Sequence, residues 1–213
     1  KNIPKRMLVI GGGIIGLEMA TIYASLGCKI TIVEIMESLI PECDKDIIRP
    51  LVRRIKKKYE NIYLKTKVIS VIPKENKIKV ILEGKNVPEN DQFDAILVAI
   101  GRTPNGNKVD VGKAGIQVDK NGFIATNNQQ QTNIPNIYAI GDVTHLPMLA
   151  HKATYEGKLA AEHIAGHQVN IKNKIIPSVA YTDPEIAWVG LSETEAKLRN
   201  IDYGKGVFPW SAN

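Results

Sequence analysis

Aromatic side chains are scarce in this chain of 213 residues: three Phe, two Trp and seven Tyr make up 6% of it. No aromatic-interleaved surface accompanies its densest basic cluster, Arg53-Arg54-Ile55-Lys56-Lys57-Lys58, as a nucleic-acid groove would require. Ile47, Ile48, Leu51, Val52, Ile55 and Tyr59 give that segment a buried face, so the cluster reads as the solvated side of a helix. A patch for an acidic partner is the alternative, and the net charge of +6 decides little between them. Cysteine is scarcer still. Cys28 and Cys43 have neither C-x-x-C nor metal-ligand spacing and read as structural thiols of a reducing, cytoplasmic compartment. His145, His151, His163 and His167 lack acids or cysteines at ligand spacing, so no metal site is expected. No apolar run reaches the roughly 18 residues of a membrane-spanning helix. No signal or transit peptide is visible, although the chain begins at Lys1 directly before a strand and is expected to have lost its beginning. Apolar residues at 44% with 23% charged nevertheless describe a folded globular protein.

Glycine, by contrast, is concentrated where it carries information. Met7-Leu8-Val9-Ile10 is a short apolar strand running into Gly11-Gly12-Gly13-Ile14-Ile15-Gly16, the spacing G-x-G-x-x-G. The first glycine of that pattern permits a tight turn, and the second lets backbone approach a pyrophosphate. The third lets the next helix pack closely, with its N-terminal N–H groups and positive dipole end toward the phosphates. A second apolar strand, Ile30-Thr31-Ile32-Val33, ends in Glu34, where the acid that meets an adenosine ribose is needed. Strand before, helix after and acid in place make this a dinucleotide site.

Residues 7–34 therefore form a βαβ unit, with Ile15, Met19, Ile22 and Leu26 on one helix face and Gly27 closing the helix. Residues 44–60 form a second helix, with Pro50 an awkward member that leaves the boundary open. Val68–Ile72, Ile78–Leu82 and Ala95–Ile100 read as strands, the first two joined as a hairpin by Lys74-Glu75-Asn76-Lys77. Gly101-Arg102-Thr103-Pro104-Asn105-Gly106 breaks regular structure and marks a crossing between domains. A strand is expected to end in Gly141-Asp142, followed by an Ala-rich helix from Ala150 to Ala165. Pro177–Gly190 alternates, and Ser192-Glu193-Thr194-Glu195 starts a further helix with acid in its first turn. The fold class is thus α/β, beginning with a Rossmann-like dinucleotide-binding domain that carries an antiparallel β insertion (1–106).

By Asp142 the order of motifs resembles the flavoprotein disulfide reductases with two dinucleotide-binding domains. The resemblance rests on GGGIIGLE (Gly11–Glu18), Val33-Glu34, AIGRTPN (Ala99–Asn105) and YAIGD (Tyr138–Asp142). MLAHKA (Met148–Ala153) and IPSVAYTDPE (Ile176–Glu185), running into WVGL (Trp188–Leu191), favour the lipoamide branch. The resemblance implies an NAD-binding domain over 1–106, the C-terminal part of an FAD-binding domain over 107–175 and the start of an α+β interface domain over 176–213. It implies that Gly11, Gly12, Gly13, Ile14, Ile15 and Gly16 hold the NAD pyrophosphate and Glu34 the ribose hydroxyls. A carboxylate there repels a 2′-phosphate, which favours NAD over NADP. It also implies that Val68 lies against the adenine, although core packing explains Val68 equally well, and that Ala99, Ile100, Gly101 and Arg102 line the rest of the path. Asp142 would bond the FAD ribitol, or else only stabilise its turn. Ala150 and the following helix N-terminus would face the flavin near N1 and O2. Glu18 would support the flavin side through a lysine not in this chain, or be an ordinary helical glutamate.

The family's own FAD motif, its C-x-x-x-x-C and its catalytic histidine and glutamate have no counterpart here. No catalytic residue is therefore assigned within the chain, which is expected to be an inactive central piece of a longer enzyme. That enzyme would oxidise dihydrolipoamide through a disulfide and FAD to reduce NAD+. It would be a homodimer docked on the acyltransferase (E2) core of a 2-oxoacid dehydrogenase complex, with lipoyl domains as substrate and no nucleic-acid or membrane partner. The alternatives are another disulfide reductase or a transhydrogenase of the same family, or a non-catalytic NAD-binding module.

Overall fold

The computed structural model describes residues 2–169 and 175–209. They form two compact units, one of residues 2–100 with 179–209 and the other of 101–169 with 175–178.

The first unit is built on a parallel sheet of order β3-β2-β1-β7. Its strands are β1 (Arg6–Ile10), β2 (Lys29–Val33), β3 (Asn61–Tyr63) and β7 (Ala95–Val98). Leu8, Val9, Ile30 and Ile32 are fully buried, the near-continuous apolar pattern of strands covered on both faces. Helix α1 (Ile14–Ser25) links β1 to β2, and α2 (Lys45–Lys58) links β2 to β3. Gly27 ends α1 at φ +90°: its N–H bonds the Ala24 carbonyl and that of Cys28 bonds Tyr23, a Schellman closure. Helix α2 runs through Pro50 without a break.

Between β3 and β7 the chain makes an antiparallel excursion of β4 (Lys67–Pro73), β5 (Ile78–Glu83) and β6 (Asn90–Phe93). The hairpin closes where Lys74 N–H bonds the Lys77 carbonyl. Strands β3 and β6, of three and four residues, are too short and polar to stand out in the sequence. Arg6 pins this excursion to the main sheet. Its guanidinium meets Asp91 at 3.0 Å and Glu60 at 2.8 Å and lies 5.0 Å from the Phe93 ring centre. The Asp91 carboxylate, ahead of Glu60, holds the Arg6 guanidinium more firmly protonated than usual.

Two details of the helices depart from expectation. On α1 the buried residues are Gly16, Leu17 and Ala20, whereas Ile15, Ile22 and Leu26 are about half exposed. The helix is apolar all round, and the small side chains of Gly16 and Ala20 let that stripe seat closest to the sheet. On α2, Ile48, Leu51, Ile55 and Tyr59 are buried as expected, but Ile47 is exposed.

The chain returns to this unit with β8 (Ser178–Ala180), paired with β9 (Ile186–Trp188), and helix α4 (Glu193–Leu198). Ala180 and Ile186 join the core formed by α1, α2 and the sheet. Ser192 caps α4 by accepting the Glu195 N–H at 3.1 Å. Asp44 adds a second cap, taking the Glu193 N–H at 2.9 Å. Residues 201–209 carry no regular element.

The second unit has one long helix, α3 (Ala150–Ile164), as expected. The strand expected to lead into Gly141-Asp142 is not formed. Gln131 and Tyr138 make one antiparallel bridge, and Gly141–Val143 is a single 3₁₀ turn. Asn127–Gln131 turns back on itself through the Asn127 side chain, so it offers Tyr138–Ile140 no straight partner strand.

Candidate functional site

Gly11–Gly13, Glu34 and Ala99 directly follow the carboxyl ends of β1, β2 and β7. Chain order reverses across β1, with β2 on one side and β7 on the other, and such a switch point opens a crevice. Three of the four glycines there have a measurable steric reason. Gly11 stands at φ +107°, and a Cβ on it would lie 2.3 Å from the Ala99 carbonyl oxygen. A Cβ on Gly16 would meet the Gly11 carbonyl oxygen at 2.1 Å, so α1 can approach β1 only with glycine here. Gly12 is enclosed by Leu39 and Glu34. Gly13 differs: a Cβ on it would meet nothing within 4 Å. Its bareness serves no neighbour in the protein and leaves room for a ligand to touch backbone. Among the described residues no side chain caps α1, and its first turn holds no acid, which leaves the N–H groups around Ile14 and Ile15 available to an anion.

Glu34 is 7% exposed yet firmly oriented. One carboxylate oxygen accepts the Gly12 N–H at 2.6 Å, the other the Met36 N–H at 2.7 Å. Each oxygen keeps lone pairs for further donors, which suits a pair of ribose hydroxyls. The glycine turn and the acid are thus one hydrogen-bonded object. The Met36 contact was not anticipated, since a backbone N–H two residues on leaves no trace in composition. Ala99 donates its N–H to Ile10 at 2.8 Å, and Ile100 is exposed. Val68 packs on the cluster of Leu8, Val33, Val80, Leu82 and Phe93 while remaining partly accessible. Glu18, on α1, accepts the Tyr181 N–H at 2.9 Å.

Gly101, Arg102, Asp142 and Ala150 belong to the second unit. Arg102 reaches Asp142 at 2.6 Å and also donates to the Met148 carbonyl. Both partners remain nearly half exposed, so the Asp142 carboxylate is oriented without being closed off. Ala150 opens α3 and is exposed, and no side chain caps that helix start. Oriented N–H groups and a carboxylate with open lone pairs suit the flavin end and the ribitol of FAD, respectively. Beneath the Gly141–Val143 turn lie Lys152 and Glu156, both fully buried. Lys152 stands within MLAHKA and Glu156 one helical turn further on, and neither carries a local sign of burial. Their i,i+4 spacing is the same as that of an exposed helical pair.

Cys28 and Cys43 are buried free thiols. Burial, helped by Asp94 and Glu60, raises the first, and burial pushes the second up to about 11 with Asp44, Glu42 and Asp46 adding to it. Such thiols are poor nucleophiles. Among the described residues, no group of three or more His, Cys, Asp or Glu could hold a metal ion, and no helix is long and apolar enough to cross a membrane.

Known proteins match this arrangement. The family model described as "Pyridine nucleotide-disulphide oxidoreductase" matches residues 1–157, and that family's dimerisation domain matches 176–213. The whole chain is 52% identical to dihydrolipoyl dehydrogenase of Vibrio cholerae and 48% identical to that of Haemophilus influenzae. It is 43% identical to the mitochondrial enzyme of Schizosaccharomyces pombe. It spans only 45%, 44% and 42% of those relatives, less than half of each. Among solved structures, the HOCl-induced flavoprotein disulfide reductase RclA of Escherichia coli superposes over 93% of the chain with TM-score 0.82 at 26% identity, the match covering 45% of that protein. LpdA of Mycobacterium tuberculosis gives 0.82 at 25% identity over 93% of the chain and 43% of its own.

Proposed function

The chain belongs to the pyridine nucleotide-disulphide oxidoreductase family, and we propose that it is the nicotinamide-binding part, with adjoining flavin and interface segments, of a dihydrolipoyl dehydrogenase. The observation that carries the nicotinamide assignment is Glu34 locked to Gly12 beside the open face of Gly13. When bound, NAD supplies the hydride acceptor and FAD the relay from thiols to nicotinamide. The residues of this chain bind and orient. Gly13 and the uncapped start of α1 receive the pyrophosphate, and Glu34 receives the ribose diol and disfavours a 2′-phosphate by charge. Ala99, Ile100, Gly101 and Arg102 continue the cofactor path, and Val68 supplies an apolar surface for the adenine. Asp142 and the start of α3 serve FAD, and Glu18 is a flavin-side support. The corresponding domains are 1–106 for NAD, 107–175 for FAD and 176–213 for the interface.

The full protein is a cytoplasmic homodimer in this reading, and the match of a dimerisation-domain model to 176–213 supports the pairing. Its second partner is the acyltransferase core that carries lipoyl groups. The test is steady-state assay of the full-length protein with dihydrolipoamide and NAD+ or NADP+, and in the opposite direction with oxidised glutathione and NADPH. NADH formation from dihydrolipoamide is expected. Reduction of oxidised glutathione by NADPH with no turnover of dihydrolipoamide would overturn the assignment.

A further inference from the structure

Gly141 is gripped on both sides of its backbone by one buried ion pair. Glu156 accepts the Gly141 N–H at 2.7 Å, and Lys152 donates to the Gly141 carbonyl at 3.0 Å. The two side chains meet at 3.2 Å with both fully buried. Thr144 completes the enclosure: its N–H and hydroxyl also donate to the Gly141 carbonyl, at 3.0 and 2.8 Å, and its hydroxyl oxygen accepts from Lys152 at 3.2 Å. The His145 ring lies 3.4 Å from the other Glu156 oxygen.

Stability is a poor reason for such a pair, because apolar replacements of buried ion pairs are often neutral or better. What apolar side chains cannot do is orient a peptide. Gly141 stands at φ +77°, with Ala153 only 3.0 Å from where a Cβ would be, and its carbonyl and N–H direct the next residue, Asp142. Lys152 and Glu156 both project from α3, whose first residue is Ala150. One helix therefore fixes the Gly-Asp turn and presents its own N-terminus in the same rigid register. We infer that Lys152 and Glu156 are positioning residues for the flavin, holding Asp142 and the α3 start in the relation FAD requires. This rests on the reading that Asp142 bonds the ribitol.

The test uses the full-length protein, stripped of FAD and titrated with FAD by flavin fluorescence, with visible circular dichroism of the bound flavin and urea unfolding of the apoprotein. The neutralised pair Lys152→Met/Glu156→Gln keeps an acceptor for the Gly141 N–H and strands no buried charge. It is expected to unfold near the parent midpoint, bind FAD roughly tenfold or more weakly and change the flavin dichroism. In an Asp142→Ala background, itself weakened for FAD, the same double change should add less than about twofold. Unchanged FAD affinity in the neutralised pair, or an equal loss in both backgrounds, overturns the inference and leaves the Asp142 reading intact. Asp142→Ala binding FAD as tightly as the parent overturns the Asp142 reading and this inference with it. A neutralised pair that cannot be obtained folded also overturns it, since the pair would then be a stability element first.

Discussion

The two units orient a carboxylate by opposite means. In the first, Glu34 follows a strand paired on both sides, and Gly11 and Gly16 near it are dictated by backbone atoms a little over 2 Å from any added Cβ. In the second, Asp142 sits on one 3₁₀ turn among irregular segments, and a buried polar network takes the place of a ladder. Steric exclusion is tolerant of charge and intolerant of volume. A hydrogen-bonded ion pair has the reverse sensitivity. The same chemical task is therefore exposed to different kinds of damage.

Substitutions at the two places should separate these sensitivities. The largest loss is expected from Gly16→Ala, whose methyl would meet backbone rather than a movable side chain: roughly 4 kcal/mol or more in chemical unfolding of the full-length protein. Gly13→Ala, three residues away, should cost under about 1 kcal/mol because the space is open, and should instead weaken NAD in fluorescence titration. Equal unfolding losses for the two would break the steric account. Next comes Lys152→Met alone, which removes the ammonium held 3.2 Å from the buried Glu156 carboxylate and should cost about 3–5 kcal/mol. Arg54→Ala, which breaks the exposed pair with Asp183, should stay within about 0.5 kcal/mol.

A middling effect is expected from Glu34→Arg: a fall of about ten- to a hundredfold in the NAD/NADP ratio of kcat/KM, or roughly 1.4–2.8 kcal/mol. An unchanged ratio would remove Glu34 as the ribose ligand. An effect confined to alkaline pH concerns Cys43. Burial raises its thiol from 9.0 to about 11, so between those values the unfolded chain ionises while the folded one does not. Stability is unaffected by Cys43 well below pH 9 and should decline by about 2 kcal/mol as pH rises from 9 to 11. Cys43→Ala should remove that portion of the decline in urea midpoints measured across the range.

How much of this was legible in the sequence follows the same division. The βαβ unit, the Lys74–Lys77 hairpin and the Ser192 cap rest on local rules, and each could be read from a handful of neighbouring residues. The choice of buried stripe on α1 could not. Ile15, Met19, Ile22 and Leu26 have helical spacing, but so do Gly16, Leu17 and Ala20, and only the approach of the sheet selects between them. The strand before Gly141 was over-read because an apolar run implies a ladder only where a partner runs straight beside it. Lys152 and Glu156 escaped notice for a related reason. Spacing shows that two charges can meet on a helix, while their burial depends on a turn that precedes the helix in the chain.

Strand β1 pairs with β2 on one side and β7 on the other, and the latter partner begins only at Ala95. At about 5–20 residues per second of synthesis, β2 follows β1 within a few seconds, but Ala95–Val98 emerges roughly 4–17 seconds after it. Throughout that interval one edge of Met7-Leu8-Val9-Ile10 has no hydrogen-bonding partner of its own chain. The strand that carries the glycine turn is thus an early apolar edge waiting for its neighbour, and the period of greatest risk of pairing with another chain is set by the length of the intervening excursion.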